Sequence, residues 1–517
     1  MEEVVKLFSD HGTLVQPDAL DYIMSKDDPI AFASHILSKM REYPLVLSLE
    51  DIKALEGIPE KKEEKPPTAN FQEEEEVEER EEGEEKYELP LSFPKGWKPL
   101  AKEYDAEIEI LKDVTGKSTC RGNIEDFSLL FKHRYESIKK IFLSRRNFGN
   151  SIPFSKIKKG YVKEVQLIGL VREVRESSRG HKIVEIEDEE GVVTLLIPSN
   201  DHHLIQQANE LVTDEVISVT GKVSRNGDLI IVQSISYPDI NVNHKKNSAD
   251  VPLYVAFLAD PHIGSKMFLW EKWKLLVKWL NGNAGNSRQR EVAGRIKYVV
   301  IPGDTVDGIG IYPNQEKELS IKDIYKQYEA LSELLNMLPD HITIIIQPGN
   351  HDAVRPAEPQ PAFEEELREI FSGRDIVFVG NPCYFSLHGV EVLSYHGQSL
   401  LDYATNIPTL KYNEPIEIMK VALKKRHLAP IYGGHTPIAP EHVDYMVIDR
   451  VPDIFVTGHV HLTAIGEYRG VTLINASSWQ AQTSYQKMLN FVPDPAKLPI
   501  VDLKTGKATT MDFTRGI

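Results

Sequence analysis

The apolar residues change their spacing three times along the chain, and each change marks a different kind of structure. Up to about residue 57, Val4, Val5, Leu7 and Phe8 and then Ile30, Phe32, Ile36 and Leu37 recur at helical intervals among polar neighbours, which predicts a small helical module. From Lys156 to about Asp239 the period falls to two. VQLIGLVREV, HKIVEIE and VVTLLIP read as three strands, HHLIQQANEL as a short helix, and DEVISVTGKV and DLIIVQSISY as two more strands. Asn226-Gly227 separates the last pair, and both residue types tolerate the positive φ of a tight hairpin turn. From Val251 onward, runs of the buried-strand type alternate with helical segments: LYVAFLA, a helix near Leu269 to Leu280, KYVVIP, a helix near Ile321 to Leu338, then ITIIIQP, VEVLSYH, DIFVTGH and GVTLINA. Apolar runs bounded by Gly and Pro are expected of strands covered by helices in an α/β layer.

Three strands, a helix and two strands is the order of an OB-fold, a barrel that binds single-stranded nucleic acid or docks other proteins. The strands here carry no evident row of aromatic residues, so both roles stay open. The predicted organisation is a helical module at 1–57, an acidic disordered linker at 58–92, a basic helical connector at 93–155, an OB-fold at 156–245 and an α/β sandwich domain at 251–517. A chain of 517 residues is too long for one core, in keeping with several domains.

Composition narrows the class. No run reaches the roughly 18 apolar residues of a membrane-spanning helix, and the acidic start MEEVVKLFSD does not resemble a secretory leader, so a cytoplasmic protein with no membrane partner is expected. Only Cys120 and Cys383 are present, which excludes a disulfide framework and a thiolate metal cluster. The net charge of −18 is unevenly spread. Pro59 to Pro90 carries fourteen Glu against five Lys or Arg, half of the total; with few apolar residues it reads as a spacer. Lys132 to Lys163 carries ten Lys or Arg against one Glu, an excess that could face phosphates or simply be a solvated helix and loop.

The chemistry lies in five short motifs, each at the C-terminal end of an apolar run: Asp260-x-His262, Gly303-Asp304, Gly349-Asn350-His351-Asp352, His396-Gly397 and Gly458-His459-x-His461. Strand ends in open α/β sheets converge on one crevice. Asp260 and His262, on an extended segment, would project to one side. Gly303 allows a sharp turn before Asp304, whose carboxylate can bridge two cations. Asn350 offers an amide oxygen, and Asp352 is placed to orient His351 from behind. Carboxylate, imidazole and amide oxygen together suit Mn²⁺, Zn²⁺ or Fe²⁺. His388 and His435 are the competitors of His396, while Asp307 reads as a supporting residue and Trp479 as core.

In this order the motifs resemble those of the calcineurin-type metallophosphoesterases over the last half of the chain. That resemblance implies two divalent ions, one held by Asp260, His262, Asp304 and His461 and the other by Asp304, Asn350, His396 and His459, with His351 as the acid that serves the leaving group. Mn²⁺ is the preferred metal, with Zn²⁺, Fe²⁺ and Ni²⁺ as alternatives. An OB-fold directly ahead of such a domain is similar to the small subunits of replicative DNA polymerases. The segment HLAPIYGGHTPIAPEHVDYMVIDRVPDIFVTGHVH resembles the archaeal family-D members. The likeness implies a 3′-to-5′ exonuclease that removes misincorporated nucleotides, with DNA, a large catalytic subunit and, through the holoenzyme, a sliding clamp as partners, in a nucleoid-associated location. Alternatives are a non-catalytic scaffold, a phosphoprotein phosphatase, and a nuclease of the double-strand-break-repair type. Against the last, about 250 residues precede Asp260.

Overall fold

The computed structural model describes residues 93–157, 164–224 and 229–516, together with short stretches between residues 4 and 53. The acidic tract at 58–92 and the turn residues Asn226 and Gly227 lie outside the described residues. The chain divides into two compact units, Met1–Lys86 and Tyr87–Ile517.

In the first unit, helices Pro17–Met24 and Pro29–Lys39 bury Ala19, Ile23, Ala33, Ile36 and Leu37 with Val4, Phe8 and Ile52. The second helix begins at Asp28, whose side chain accepts from the Ala31 amide and so satisfies one orphan N–H of the first turn. Ile30, in that first turn, is exposed rather than buried. Leu14–Val15 pairs in parallel with Val46–Leu47, which helical periodicity does not anticipate.

The second unit is mixed α/β, with two six-stranded sheets and a closed five-stranded barrel. The first sheet runs Ile376–Phe378, Thr343–Gln347, Ile296–Pro302, Tyr254–Phe257, Lys497–Asp502, Ala508–Asp512. Its first four strands are mutually parallel. The second runs Ala464–Tyr468, Val471–Asn475, Ile454–Thr457, Val390–Ser394, Cys383–Leu387, Ile108–Lys112, with three central strands parallel.

Period-two alternation assigns the faces. Val255, Phe257, Val300 and Ile345 meet Phe385, Val392, Val456 and Ile474 between the sheets. Ala256, Val299, Ile301 and Ile344 face outward onto helices Trp270–Leu280 and Ile324–Asn336. Leu393, Phe455 and Leu473 face helices Leu400–Asn406 and Pro415–Lys425 on the other side. Both faces of each sheet are covered, which is why the strands read as unbroken apolar runs.

In the barrel the order is Glu164–Glu176, Lys182–Asp188, Gly191–Ile197, Leu229–Ser236, Val216–Val223, closing back on the first strand. Helix His202–Ala208 stands between the third and fourth strands in sequence. Residues 93–155 do more than connect. Their helix Ile124–Leu143 is joined by strand Ile108–Lys112, which adds an edge to the second sheet. Some of the basic residues here are engaged within the fold. Arg134 is fully buried, its Nε 2.7 Å from Asp444, and its Nη1 donates to the carbonyls of Pro430 and Asp214. Arg145 donates to the carbonyls of Pro238 and Asp239, and Lys132 pairs with Glu189.

Barrel and sandwich are also tied by Lys425 and Glu215, whose charged atoms lie 2.6 Å apart with both side chains 1% exposed. Burial lowers the Lys425 pKa and raises that of Glu215, so each depends on the other to stay charged. Glu215→Ala, which strands Lys425, is expected to cost about 3–5 kcal/mol in chemical unfolding. Replacing the pair together, Glu215→Leu with Lys425→Met, is expected to recover most of that loss.

Candidate metal centre

Five parallel strands deliver the motifs to one edge. Tyr254–Phe257, Ile296–Pro302 and Thr343–Gln347 are neighbours in the first sheet, and Val390–Ser394 and Ile454–Thr457 are neighbours in the second. Because each set is parallel, the loops that follow lie at the same end and meet over the sandwich seam.

The backbone at this meeting point is unusual. Asp260, His262, Asp304, His459 and His461 all have φ between 48° and 64°, a left-handed conformation that non-glycine residues rarely adopt and that clusters at functional sites. Asp260 and His262 therefore do not sit on an extended segment. The strand ends at Phe257, and two left-handed residues kink the loop so that both side chains still turn inward. Hydrogen bonds between loops hold the kinks: both Asp260 carboxylate oxygens accept from the His459 amide, and the Asp304 Oδ1 accepts from the His351 amide. The glycine of Gly349-Asn350 has a steric cause, since a Cβ there would collide with the Asp304 carboxylate and backbone.

The side chains form two donor sets that share Asp304. In one, His262 Nε2 and His461 Nε2 lie 3.0 Å apart, with Asp260 Oδ1 3.8 Å from the latter and Asp304 Oδ2 3.7 Å from the former. In the other, His396 Nε2 is 3.0 Å from Asn350 Oδ1, 3.2 Å from His459 Nδ1 and 3.3 Å from Asp304 Oδ1. Asp304 thus turns one oxygen to each set. His396 is fixed behind by its Nδ1, 2.9 Å from the Pro302 carbonyl. A single His396 N–H can serve only one of the three acceptors around it, whereas a cation would satisfy all of them together. The donor atoms fit divalent ions of the borderline type, and no thiol is among them.

Charge points the same way. Burial, with Asp304 opposite, pushes Asp260 up to about 7. Asp304 resists burial because the charges of His396, His351 and His262 hold its pKa well below the usual range. Burial and neighbouring imidazoles push His459 down to about 3 and His461 well below its ordinary value. Burial opposes a charge on His396 too, but Asp304 and Asp260 outweigh it and raise its pKa to about 10. Burial opposes a charge on His262 as well, but Asp307, Asp304 and Asp260 raise its pKa, so the imidazoles of His396 and His262 together balance the carboxylates.

His351 stands beside the two sets. Its Nδ1 is 2.7 Å from the Asp307 carbonyl and its Nε2 3.9 Å from Asp304 Oδ2, so the ring presents Nε2 to the cleft. The residue that orients it is therefore Asp307. The expected partner, Asp352, accepts instead from the Gly349 and Thr305 amides and from the Thr305 and Tyr328 hydroxyls, bracing the turn itself. Asp307 also sets Oδ1 3.1 Å from His262 Nδ1 and is held in turn by Gln480 and Gln315. Its position three residues after Asp304 was the only hint in the sequence; Gln480 and Gln315 gave none. His388 lies away from the cleft, 3.4 Å from Glu107, and His435 lines the cleft outside both donor sets. Trp479 is core.

Residues 255–464, which contain every candidate ligand, match the family of the B subunits of DNA polymerases alpha and epsilon. The DNA polymerase II small subunit of Methanocaldococcus jannaschii is 43% identical over 423 residues, 81% of this chain and 71% of that one. The small subunit from Archaeoglobus fulgidus is 45% identical over 76% of this chain and 78% of its own. That of Methanothermobacter thermautotrophicus is 36% identical over 99% of this chain and its own full length. The chain belongs to the small-subunit family of archaeal DNA polymerase II. As a family-D small subunit it is one part of a DNA-replicating complex, and among its described residues no helix is long and apolar enough to cross a membrane.

In this small subunit the tight passage at Gly349 is directly testable. Gly349→Ala is expected to lower stability by about 1–3 kcal/mol in denaturant unfolding, as overpacking does elsewhere, because Asp304 and its backbone must shift. A neutral result would mean that the crowding around Asp304 is not real.

Proposed function

We propose that the cleft is a two-metal phosphodiesterase centre that removes nucleotides from the 3′ end of DNA, as the proofreading activity of the polymerase II complex. The observation that carries this reading is the shared carboxylate, Asp304, with one oxygen toward each of two four-donor sets. On this reading the sandwich, residues 251–517, is a calcineurin-type metallophosphoesterase domain, and the barrel is an OB-fold. The module at 1–57, the acidic linker at 58–92 and the connector at 93–155 precede them. Polymerisation belongs to a large catalytic subunit, and the sliding clamp is reached through the holoenzyme.

Asp260, His262, Asp304 and His461 would hold one ion and Asp304, Asn350, His396 and His459 the other, with Mn²⁺ favoured over Zn²⁺, Fe²⁺ or Ni²⁺. When bound, such a pair supplies charge to neutralise the scissile phosphate and makes water acidic enough to attack at neutral pH. The protein does the rest. Asp307 keeps the His262 ring in place through Nδ1, and its carbonyl fixes His351 with Nε2 facing the cleft. Burial lowers the His351 pKa, which makes the protonated ring a readier acid, and in that form it gives the Nε2 proton to the departing 3′-oxygen, so that the leaving group departs as an alcohol.

The test uses purified protein, alone and with the large subunit, on 5′-labelled single-stranded and 3′-mispaired DNA with Mn²⁺. Shortening from the 3′ end is expected. His351→Ala should lower kcat by about 10²–10⁴ with metal content unchanged by elemental analysis, while Asp304→Asn should lose both metal and activity. If both variants cleave like the parent, the site assignment falls. If the parent binds metal but shortens no DNA in either form, the scaffold reading takes its place.

A further inference from the structure

The mouth of the cleft, a cavity of about 500 Å³, differs in character from its floor. Two aromatic pairs stand in its walls. Tyr312 and Tyr485 are stacked, with ring centroids 5.4 Å apart and planes at 23°, and Tyr412 and Phe491 lie 6.0 Å apart. One ring of each pair comes from the strap at residues 483–491, whose Gln486 amide is 3.0 Å from His461 Nδ1. The strap thus reaches from the donor sets to the rim. Its apolar side chains are not tucked away: Tyr485 is 40% exposed and Leu489 62%, facing a loop where Ile311 is 39% exposed. Among the described residues lining this cavity there is no Lys or Arg.

A surface built to grip the phosphates of a duplex would be basic. This one offers ring faces, and stacking on ring faces is how proteins hold bases that are out of a helix. We propose that the Tyr312–Tyr485 pair is a stacking platform for an unpaired nucleobase, belonging to the nucleotide that keeps the departing 3′-oxygen. The placement follows from Tyr312, whose ring lies 6.4 Å from that of His351. This inference rests on the exonuclease reading and deepens it. A base still paired in a duplex cannot present its face to the platform, so the rim selects frayed or single-stranded ends before any chemistry occurs. Continuity of the rings with the donor sets, in one concave cavity, favours a nucleotide over a protein surface as the occupant.

The experiment measures initial rates of the first cleavage, with Mn²⁺, on three single-stranded oligonucleotides: intact, abasic at the penultimate position, and abasic at the 3′ terminus. The parent is expected to prefer the intact over the penultimate-abasic strand by about tenfold or more in kcat/KM, mostly through KM. Tyr485→Ala and Tyr485→Leu should bring that ratio close to one, and Tyr485→Phe should restore it. Metal content and thermal unfolding report whether each variant is intact. Cleavage of all three strands by the parent with equal efficiency overturns the platform and leaves the exonuclease standing. No cleavage of any strand overturns both. A Tyr485→Ala variant that loses only its association with the large subunit, and keeps the parent ratio, would reassign the rim to a protein contact.

Discussion

Two buried carboxylates, Asp260 and Asp304, stand side by side beneath a cleft whose described lining residues include no Lys or Arg. Charges taken out of water need a partner at close range. The partners supplied are imidazoles, which can be neutral donors of an electron pair or carry a proton, and the site needs them in both states. His459 and His461 are driven neutral, while His396 is driven to hold its proton. The rest of the molecule is arranged so that this balance survives. Five side chains are held at left-handed backbone positions, each at a cost of about 1–3 kcal/mol. Only a framework that over-determines the loops can keep them there.

That framework is the sandwich. Its two parallel strand sets end at one edge, and its three apolar layers fix the strands in depth, register and direction. The barrel and the connector helix add rigidity of another kind. Arg134 with Asp444, and Lys425 with Glu215, place full charges in contacts that are 1% exposed. Such pairs are demanding, since loss of one member leaves the other unpaired in the interior. They fix one docking geometry. The basic residues that look, in the sequence, like a phosphate-binding stretch are in part the residues that make these joints.

The apolar runs, the barrel strands and the five motifs were all legible from the sequence because each is a local pattern: period two, a glycine before a ligand, a strand followed by His or Asp. What escaped has distant causes. Strand Ile108–Lys112 reads as connector, since its partner Cys383–Leu387 lies more than 270 residues away. The strap from Thr483 to Phe491 carries no motif, and its rings acquire meaning only beside Tyr312 and Tyr412. Asp352 was expected behind His351 because the two are adjacent in sequence. Adjacent side chains rarely face one another, and Asp307, reached through a turn, takes that place. The extended reading of Asp260 to His262 missed for a related reason, because nothing local announces a left-handed aspartate.

That strain bears on what the site is for. A subunit serving only to hold a complex together could meet the same packing demands with smaller, apolar loops in relaxed conformations, and would be more stable for it. Keeping five side chains in costly backbone states, with glycine where a Cβ would strike Asp304, stabilises nothing in the fold itself. The return appears only when something binds the converged atoms, because binding to the folded form alone lowers its free energy by an amount set by affinity and concentration. On the two-metal reading proposed above, a site that is expensive when empty and relieved by bound ions would be organised in advance for charge. On the same reading, the ring-lined mouth above it would limit which phosphate can arrive.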